Sequence, residues 1–178
     1  MRKLLNEELG RMSVGQFRES EKSPFAILLD NVRSGSNVGS VFRTADAFRA
    51  ERIFLCGITA KPPHRDINKT ALGATESVLW EYYAETIEAV NRLRNEGYTI
   101  IAVEQAEGSV KLHDFPFSSK ERYLFVFGHE VHGVDQQVLD LCDLCLEIPQ
   151  FGTKHSFNIA VSAGIVLWEL FRRTPAKK

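Results

Sequence analysis

The stretch FVFGHEVHGV carries two histidines and a glutamate directly after an apolar run. Zinc proteases place two histidine ligands four positions apart on a helix, whereas His129 and His132 lie three apart between glycines. This spacing does not favour a metal site. Gly128 and Gly133 instead predict a tight loop whose backbone approaches a ligand closely, with Glu130 as its hydrogen-bond acceptor and His132 exposed.

A second stretch, LDNVRSGSNVGSVFRTADAF, leads from an apolar run into a segment with helical period. Gly35 and Gly39 permit close approach of the backbone to a ligand. A helix that begins at Asn37 would offer free N–H groups to an anion. Arg43 follows six residues later, and its planar guanidinium could bind a phosphate at two points. A capped helix with a surface arginine explains the same residues. The segment GSNVGS lacks the G-x-G-x-x-G spacing of dinucleotide-binding proteins.

A third stretch, LEIPQFGTKHSFNIAVSAGI, also leads from an apolar run through a loop into a segment with helical period. Pro149 ends an apolar run, and Gly152 turns the chain. Ser156 and Asn158 lie at the start of an apolar helix, where Ser156 fits an ordinary N-cap. This loop is therefore a third candidate for ligand binding.

The elements that would position these loops follow from the hydrophobic pattern. Short runs of Ile, Val, Leu and Phe alternate with segments of helical period, which predicts strands at 25–30, 52–57, 78–83, 98–104, 123–128 and 144–149. Helices are predicted after Asn37, from Thr86 to Glu96 before Gly97, from Asp135 to Leu141, and from Phe157 to Arg173. The pattern indicates an α/β fold with a mostly parallel six-stranded sheet and helices on both faces. Ligands of such sheets gather at the carboxyl ends of the strands, where the three stretches lie.

The composition indicates a single cytoplasmic domain. A chain of 178 residues, 44% of them hydrophobic, can bury one sizeable core, which we predict to span 23–178 behind an N-terminal helical extension at 1–22. A signal peptide and a membrane span are not expected, since the apolar runs are too short. Three cysteines, an odd number, indicate reduced thiols. Cys142 and Cys145 form a lone C-x-x-C, which we interpret as packed thiols.

The net charge of −1 gives no global indication of a nucleic-acid partner, so any such partner has to bind a local basic patch. Basic residues cluster in the first half of the chain: Arg11, Arg18, Arg33, Arg43, Arg49, Arg52, Lys61, His64, Arg65 and Lys69. A solvated surface would also carry such residues, and charge alone does not decide between the two.

Together, NVGSVFRTADAF, FVFGHEVHGV and IPQFGTKHSFNIAVSAGI resemble, in order, the three motifs of the SPOUT methyltransferases of the SpoU/TrmH branch. These enzymes methylate the ribose 2′-hydroxyl of RNA with S-adenosylmethionine. The resemblance covers roughly residues 24–173, and INKTALGATESV is similar to the middle segment of the family. The resemblance implies a C-terminal trefoil knot that holds the cofactor. Such a knot is an exception to the rule that protein chains are unknotted. The resemblance also implies a homodimer.

The resemblance also assigns roles to residues. The catalytic positions that it implies are Asn37, Arg43, Glu130, Ser156 and Asn158, and the cofactor-binding positions are Gln105, Gly128, Ile148, Phe157 and Asn158. Phe157 stands where a leucine is usual, and His129 where asparagine or alanine is more common. No metal is implied.

We expect the RNA to be tRNA, because the chain shows no separate RNA-binding domain. The alternatives are ribosomal RNA, a base or a non-RNA acceptor, and a non-catalytic protein that binds S-adenosylmethionine and RNA. A nucleotide-dependent oxidoreductase is disfavoured by the missing glycine spacing.

Overall fold

The structure is a computed structural model that describes residues 1–174, apart from the side chain of Asn6. Seven strands form one sheet: β1 (Phe25–Asp30), β2 (Ile53–Cys56), β3 (Trp80–Tyr83), β4 (Tyr98–Val103), β5 (Val110–Lys111), β6 (Arg122–Phe127) and β7 (Leu144–Glu147). Their order is β3-β2-β1-β6-β4-β7-β5, and every neighbouring pair is parallel. The α/β class and the six predicted strands are confirmed. The number six was wrong, because the edge strand β5 has two residues, too few to produce a hydrophobic period.

The sheet is buried on both faces. All six residues of β1 are buried, and alternate side chains enter two different cores. Phe25, Ile27 and Leu29 belong to the first core, and Ala26 and Leu28 to the second. A continuous apolar run, rather than a polar–apolar alternation, is what a parallel strand covered on both faces requires.

Seven helices connect or cover the strands in the described part of the chain: α1 (Val14–Glu19), α2 (Gly35–Ala47), α3 (Arg65–Ala71), α4 (Ala74–Ser77), α5 (Thr86–Asn95), α6 (Gln136–Leu139) and α7 (Ile159–Arg173). The short helices α3 and α4 were not predicted. The four predicted helices are present, and Gly97 ends α5 in the left-handed conformation with φ 88°.

Two predicted helix starts were wrong. Ser34, not Asn37, caps α2, because its hydroxyl accepts a hydrogen bond from the backbone N–H of Asn37 at 3.2 Å. Asn158, not Ser156, caps α7, accepting from the N–H of Ala160 at 2.9 Å. The side chain of Asn37 is thereby available for contacts between elements, and Asn158 uses its Nδ2 for such a contact while its Oδ1 caps α7.

The N-terminal segment packs on the body of the domain. It contains a 3-10 turn at Asn6–Leu9 and the capped helix α1, which buries Phe17. The Arg18 guanidinium donates to the backbone carbonyl of Glu76 at 2.6 Å. The domain boundary after residue 22 stays a prediction, and the last four residues of the predicted domain, 175–178, lie outside the described residues. Within residues 1–174 we find no helix that is both long and apolar enough to span a bilayer.

The C-x-x-C cysteines pack against the second core, as predicted. Cys142 and Cys145 are free thiols, and each donates to a backbone carbonyl, of Val138 and of Glu104 respectively. Burial raises the pKa of the Cys142 thiol to about 12, and it also raises the pKa of Cys145. Thiols that remain protonated at neutral pH are poor nucleophiles.

The strand order decides where the loops meet. β1, β6, β4 and β7 are neighbours in the sheet, and all run in the same direction. The loops that follow them therefore leave from one edge, which brings together residues from four distant parts of the chain.

Candidate active site

A cavity of ≈ 520 Å³ lies at this edge, between the loops that follow β4, β6 and β7. Seven of the sequence-predicted site residues line it: Gln105, Gly128, Glu130, Ile148, Ser156, Phe157 and Asn158. Asn37 lies outside the lining but hydrogen-bonds to two residues that form it. The structure thus brings eight of the predicted residues to one place.

Glu130 joins the loop after β6 to the loop after β1. Its carboxylate accepts hydrogen bonds from the backbone N–H of Arg33 at 3.0 Å and of Ser34 at 2.9 Å, and from Asn37 Nδ2 at 3.1 Å. Partial burial by itself would raise the pKa of the Glu130 carboxyl. The hydrogen bonds from Ser34, Arg33 and Asn37 outweigh this effect and hold the pKa below its usual value. Glu130 is therefore ionised at neutral pH, and its carboxylate holds the loop after β6 against the loop after β1.

Asn37 continues the connection to the loop after β7. Its Oδ1 accepts a hydrogen bond from Asn158 Nδ2 at 3.1 Å, while its own Nδ2 donates to Glu130. Asn158 Oδ1 accepts from the N–H of Ala160 as the cap of α7. The chain Glu130–Asn37–Asn158 thus links all three motif loops through side chains.

Gly128 lies where the backbone turns back on itself. A Cβ atom at this position would lie 2.2 Å from the carbonyl carbon and oxygen of Gly133 and from the nitrogen of Val134. Two backbone hydrogen bonds between His129 and Gly133, at 2.9 Å and 2.8 Å, close the loop, and Gly133 has φ 71°. The predicted tight glycine loop is confirmed, and its backbone forms one wall of the cavity.

Two residues that sequence reasoning missed hold the opposite wall. Glu104 accepts hydrogen bonds from the N–H of Val134 at 3.1 Å and of Gln105 at 2.8 Å, so it ties the end of β4 to the glycine loop. His155 offers its backbone carbonyl to Gln105 Nε2 at 2.5 Å. Glu104 is the last residue of a predicted strand, and this position is the one sequence signal that could have identified it.

Arg43 is the exception among the predicted residues. It lies two turns into α2 and lines a different groove of ≈ 510 Å³, between α2, α4 and the N-terminal segment. Arg11 and Arg49 line the same groove. Within residues 1–174 the Arg43 guanidinium makes no hydrogen bond or ion pair, so it is available to a ligand.

The order of these three loops, and the residues at which they meet, match a known family. The model described as the SpoU rRNA Methylase family matches residues 24–168, which is most of the chain. The chain belongs to the SpoU family. The resemblance deduced from the three motifs is confirmed.

Curated relatives of the chain act on different RNAs. The chain is 30% identical over 155 residues to a 23S rRNA (guanosine-2′-O-)-methyltransferase of Neisseria meningitidis, covering 86% of this chain and 60% of that protein. It is 26% identical to a tRNA (guanosine(18)-2′-O)-methyltransferase of Thermus thermophilus, covering 93% of this chain and 84% of that protein. Three curated relatives, the Neisseria protein among them, are longer, and the chain spans 60–65% of their length.

A solved structure has the same fold. The AdoMet-bound rRNA methyltransferase of Sinorhizobium meliloti superposes with a TM-score of 0.81 at 27% identity, covering 90% of this chain and 61% of that one. The fold is therefore shared with a protein crystallised with S-adenosylmethionine.

Proposed function

We propose that this protein transfers a methyl group from S-adenosylmethionine to the 2′-hydroxyl of a ribose in RNA. The observation that carries the proposal is the Glu130–Asn37–Asn158 chain, which holds the three family motifs around one cavity. Membership of the SpoU family and the cofactor-bound relative support it.

The cavity fits the cofactor. At Gly128 even a methyl side chain would collide with the backbone of Gly133, so the loop requires a glycine, which lines the cavity with backbone atoms alone. Gln105, Gly128, Ile148, Phe157 and Asn158 would hold the cofactor, whose sulfonium supplies an electrophilic methyl group. The backbone and apolar groups of this wall would orient the cofactor and exclude water from it.

The acceptor hydroxyl would meet polar side chains at the cavity. Ser156 and Asn158 line it, and Asn37 fixes the orientation of the Asn158 amide. As the new C–O bond forms and the bond from carbon to sulfur breaks, the hydroxyl loses its proton to a phosphate oxygen of the RNA or to water.

Arg43 would hold the RNA rather than remove that proton, because a guanidinium stays protonated at any physiological pH. It lies in the second groove, beside Arg11 and Arg49, and not in the cavity. This placement favours the binding of a phosphate next to the acceptor over contact with the ribose oxygen.

We favour tRNA as the substrate. The support is that the tRNA methyltransferase of Thermus thermophilus is matched over 84% of its length, whereas the ribosomal RNA enzyme of Neisseria meningitidis is matched over 60%. Ribosomal RNA is the second candidate, because that enzyme has the higher identity, 30% against 26%.

The homodimer and the trefoil knot implied by the family resemblance belong to the same proposal. The outer face of α7 exposes Val161 and Trp168, which could pack against a second copy. The loop after β7 is tied to the end of β4 by the hydrogen bond from Gln105 to His155, the region in which the knot would lie.

The decisive experiment is to incubate the purified protein with S-adenosylmethionine and, separately, unmodified tRNA and ribosomal RNA. The RNA is then digested and its nucleosides are weighed by mass spectrometry. We expect a 2′-O-methyl nucleoside in the tRNA pool that is missing with Arg43→Ala, while S-adenosylhomocysteine still binds to that variant. Tight cofactor binding with no product in either pool would contradict the proposed acceptor.

A further inference from the structure

Two histidine rings form a stacked pair beside the cavity. The rings of His129 and His132 lie 4.8 Å apart with an interplanar angle of 29°, and both residues line the cavity. His132 is exposed to solvent, whereas His129 is half-buried behind it. The Glu130–Asn37–Asn158 chain uses neither ring, so the connections between the motif loops do not explain the pair.

The His129 ring is held in place and backs the exposed His132 ring. His129 Nδ1 accepts hydrogen bonds from the backbone N–H of Val131 at 3.0 Å and of His132 at 3.4 Å, which fixes its ring in the tautomer that leaves Nδ1 unprotonated. The backbone bonds between His129 and Gly133 close the same loop, and Glu130 anchors it to the loop after β1. An aromatic ring that is already ordered loses little conformational entropy when a ligand stacks on it.

The acceptor in the proposed reaction creates a need for such a surface. A nucleotide that leaves its stack can bring its ribose hydroxyl into the cavity, and its base then needs a new stacking partner. Unstacked bases bind to proteins by stacking on aromatic side chains, with little dependence on the identity of the base.

We propose that His132, backed by His129, is the surface on which the base of the acceptor nucleotide stacks while its ribose faces the cavity. This assignment rests on the proposed function. It makes His132 a positioning residue for the RNA. The departure from the family pattern at His129 then has a physical reason, since an asparagine or alanine there could not support a second ring.

The cofactor is the competing partner for these rings, because it would occupy the same cavity. Phe151, in the loop after β7, is the competing surface for the base, because its side chain is 97% exposed. The test therefore separates cofactor binding from RNA binding and compares the two loops.

The experiment uses the full chain and compares wild type with His132→Ala, His132→Phe, Phe151→Ala and a matched control, His113→Ala. His113 is an exposed histidine in the 3-10 turn Leu112–Asp114 and does not line the cavity. Steady-state methylation gives KM for the RNA and kcat, and calorimetry gives Kd for S-adenosylhomocysteine. A 2-aminopurine placed at the methylated position reports stacking through quenching of its fluorescence.

We expect His132→Ala to raise the KM for RNA by roughly 5- to 150-fold, the range measured for a lost base–aromatic contact, with little change in kcat. His132→Phe should restore KM, and His113→Ala should leave both constants unchanged. The Kd for S-adenosylhomocysteine should be the same in all variants, and 2-aminopurine should be quenched by wild type and His132→Phe but not by His132→Ala.

The other outcomes overturn the assignment in distinguishable ways. If wild type methylates RNA and His132→Ala keeps its KM, the stacking surface is wrong while the proposed function stands. A rise in KM with Phe151→Ala alone would assign the base to the loop after β7. Weaker S-adenosylhomocysteine binding in His132→Ala would place the ring against the cofactor. If wild type makes no 2′-O-methyl nucleoside, the proposed function fails and the assignment fails with it.

Discussion

Asn158 Nδ2 donates a hydrogen bond to Asn37 Oδ1 across 3.1 Å, although 121 residues separate the two in sequence. Each amide uses both of its ends, because Asn37 also donates to Glu130 and Asn158 also caps α7. The orientation of both side chains is therefore fixed. A substitution at Asn37 should therefore weaken the contacts between all three loops that surround the cavity.

Asn37→Asp tests this link. The substitution removes the Nδ2–H donor and places a second carboxylate beside Glu130, now about 3 Å from its Oε1. We expect the free energy of unfolding to fall by about 1–3 kcal/mol and methyl transfer to fall at least tenfold. Urea denaturation and the nucleoside assay measure the two effects. Ser36→Ala, at an exposed neighbouring position, is the control, and equal behaviour of the two variants would show that the link has no energetic role.

Gly128→Ala tests the backbone wall of the cavity. The new methyl group would lie 2.2 Å from the backbone of Gly133, so the loop has to shift and the cavity has to change shape. We expect S-adenosylhomocysteine affinity, measured by calorimetry, to fall at least tenfold, or about 1.4 kcal/mol. Gly15→Ala in α1 is the control, because the nearest atom to its Cβ would be 4.0 Å away. Unchanged affinity in Gly128→Ala would mean that the cofactor does not lie against this wall.

The lowered pKa of Glu130 makes the free energy of unfolding depend on pH. Its pKa is lowered in the folded state, so the ionised carboxylate contributes stability above the pKa of the unfolded chain, and this contribution is lost as the pH falls through the folded pKa. We expect wild type to be more stable than Glu130→Gln at neutral pH and the difference to shrink in the acid range below 4.5, the ordinary carboxyl value. Urea unfolding of both proteins across this range measures it. A difference that does not vary with pH would mean that the charge on Glu130 is not what stabilises the loops.

Trp168→Glu tests the proposed homodimer. Trp168 is 53% exposed on α7, with its ring 6.0 Å from that of Phe48 and 6.4 Å from that of Phe171. A carboxylate at the centre of an apolar interface costs several kcal/mol, so we expect the variant to be a monomer by light scattering where wild type is a dimer. Ile87→Glu, an apolar position on α5 that is 37% exposed, should leave the oligomeric state unchanged. A wild-type monomer, or a Trp168→Glu dimer, would count against α7 as the interface.

The sequence alone was sufficient to predict the α/β class, six strands, the tight loop at Gly128, and the family. These features depend on local patterns: the length of an apolar run, the spacing of glycines, and the order of three motifs. Strand β5 could not be predicted in the same way, because it has two residues. Helices α3 and α4 each bury only two residues, so they show too weak a hydrophobic pattern.

Only the tertiary structure decided which side chains meet. Asn37 and Ser156 both suited an N-cap by residue type, but the folded backbone placed Ser34 and Asn158 at those starts. Arg43 follows Asn37 in the same helix, yet it faces the second groove, because residues six apart on a helix point in different directions. Glu130, Asn37 and Asn158 are in contact because the loops that follow neighbouring parallel strands lie at one edge of the sheet. The order of the strands could not be predicted, because no local sequence pattern encodes it.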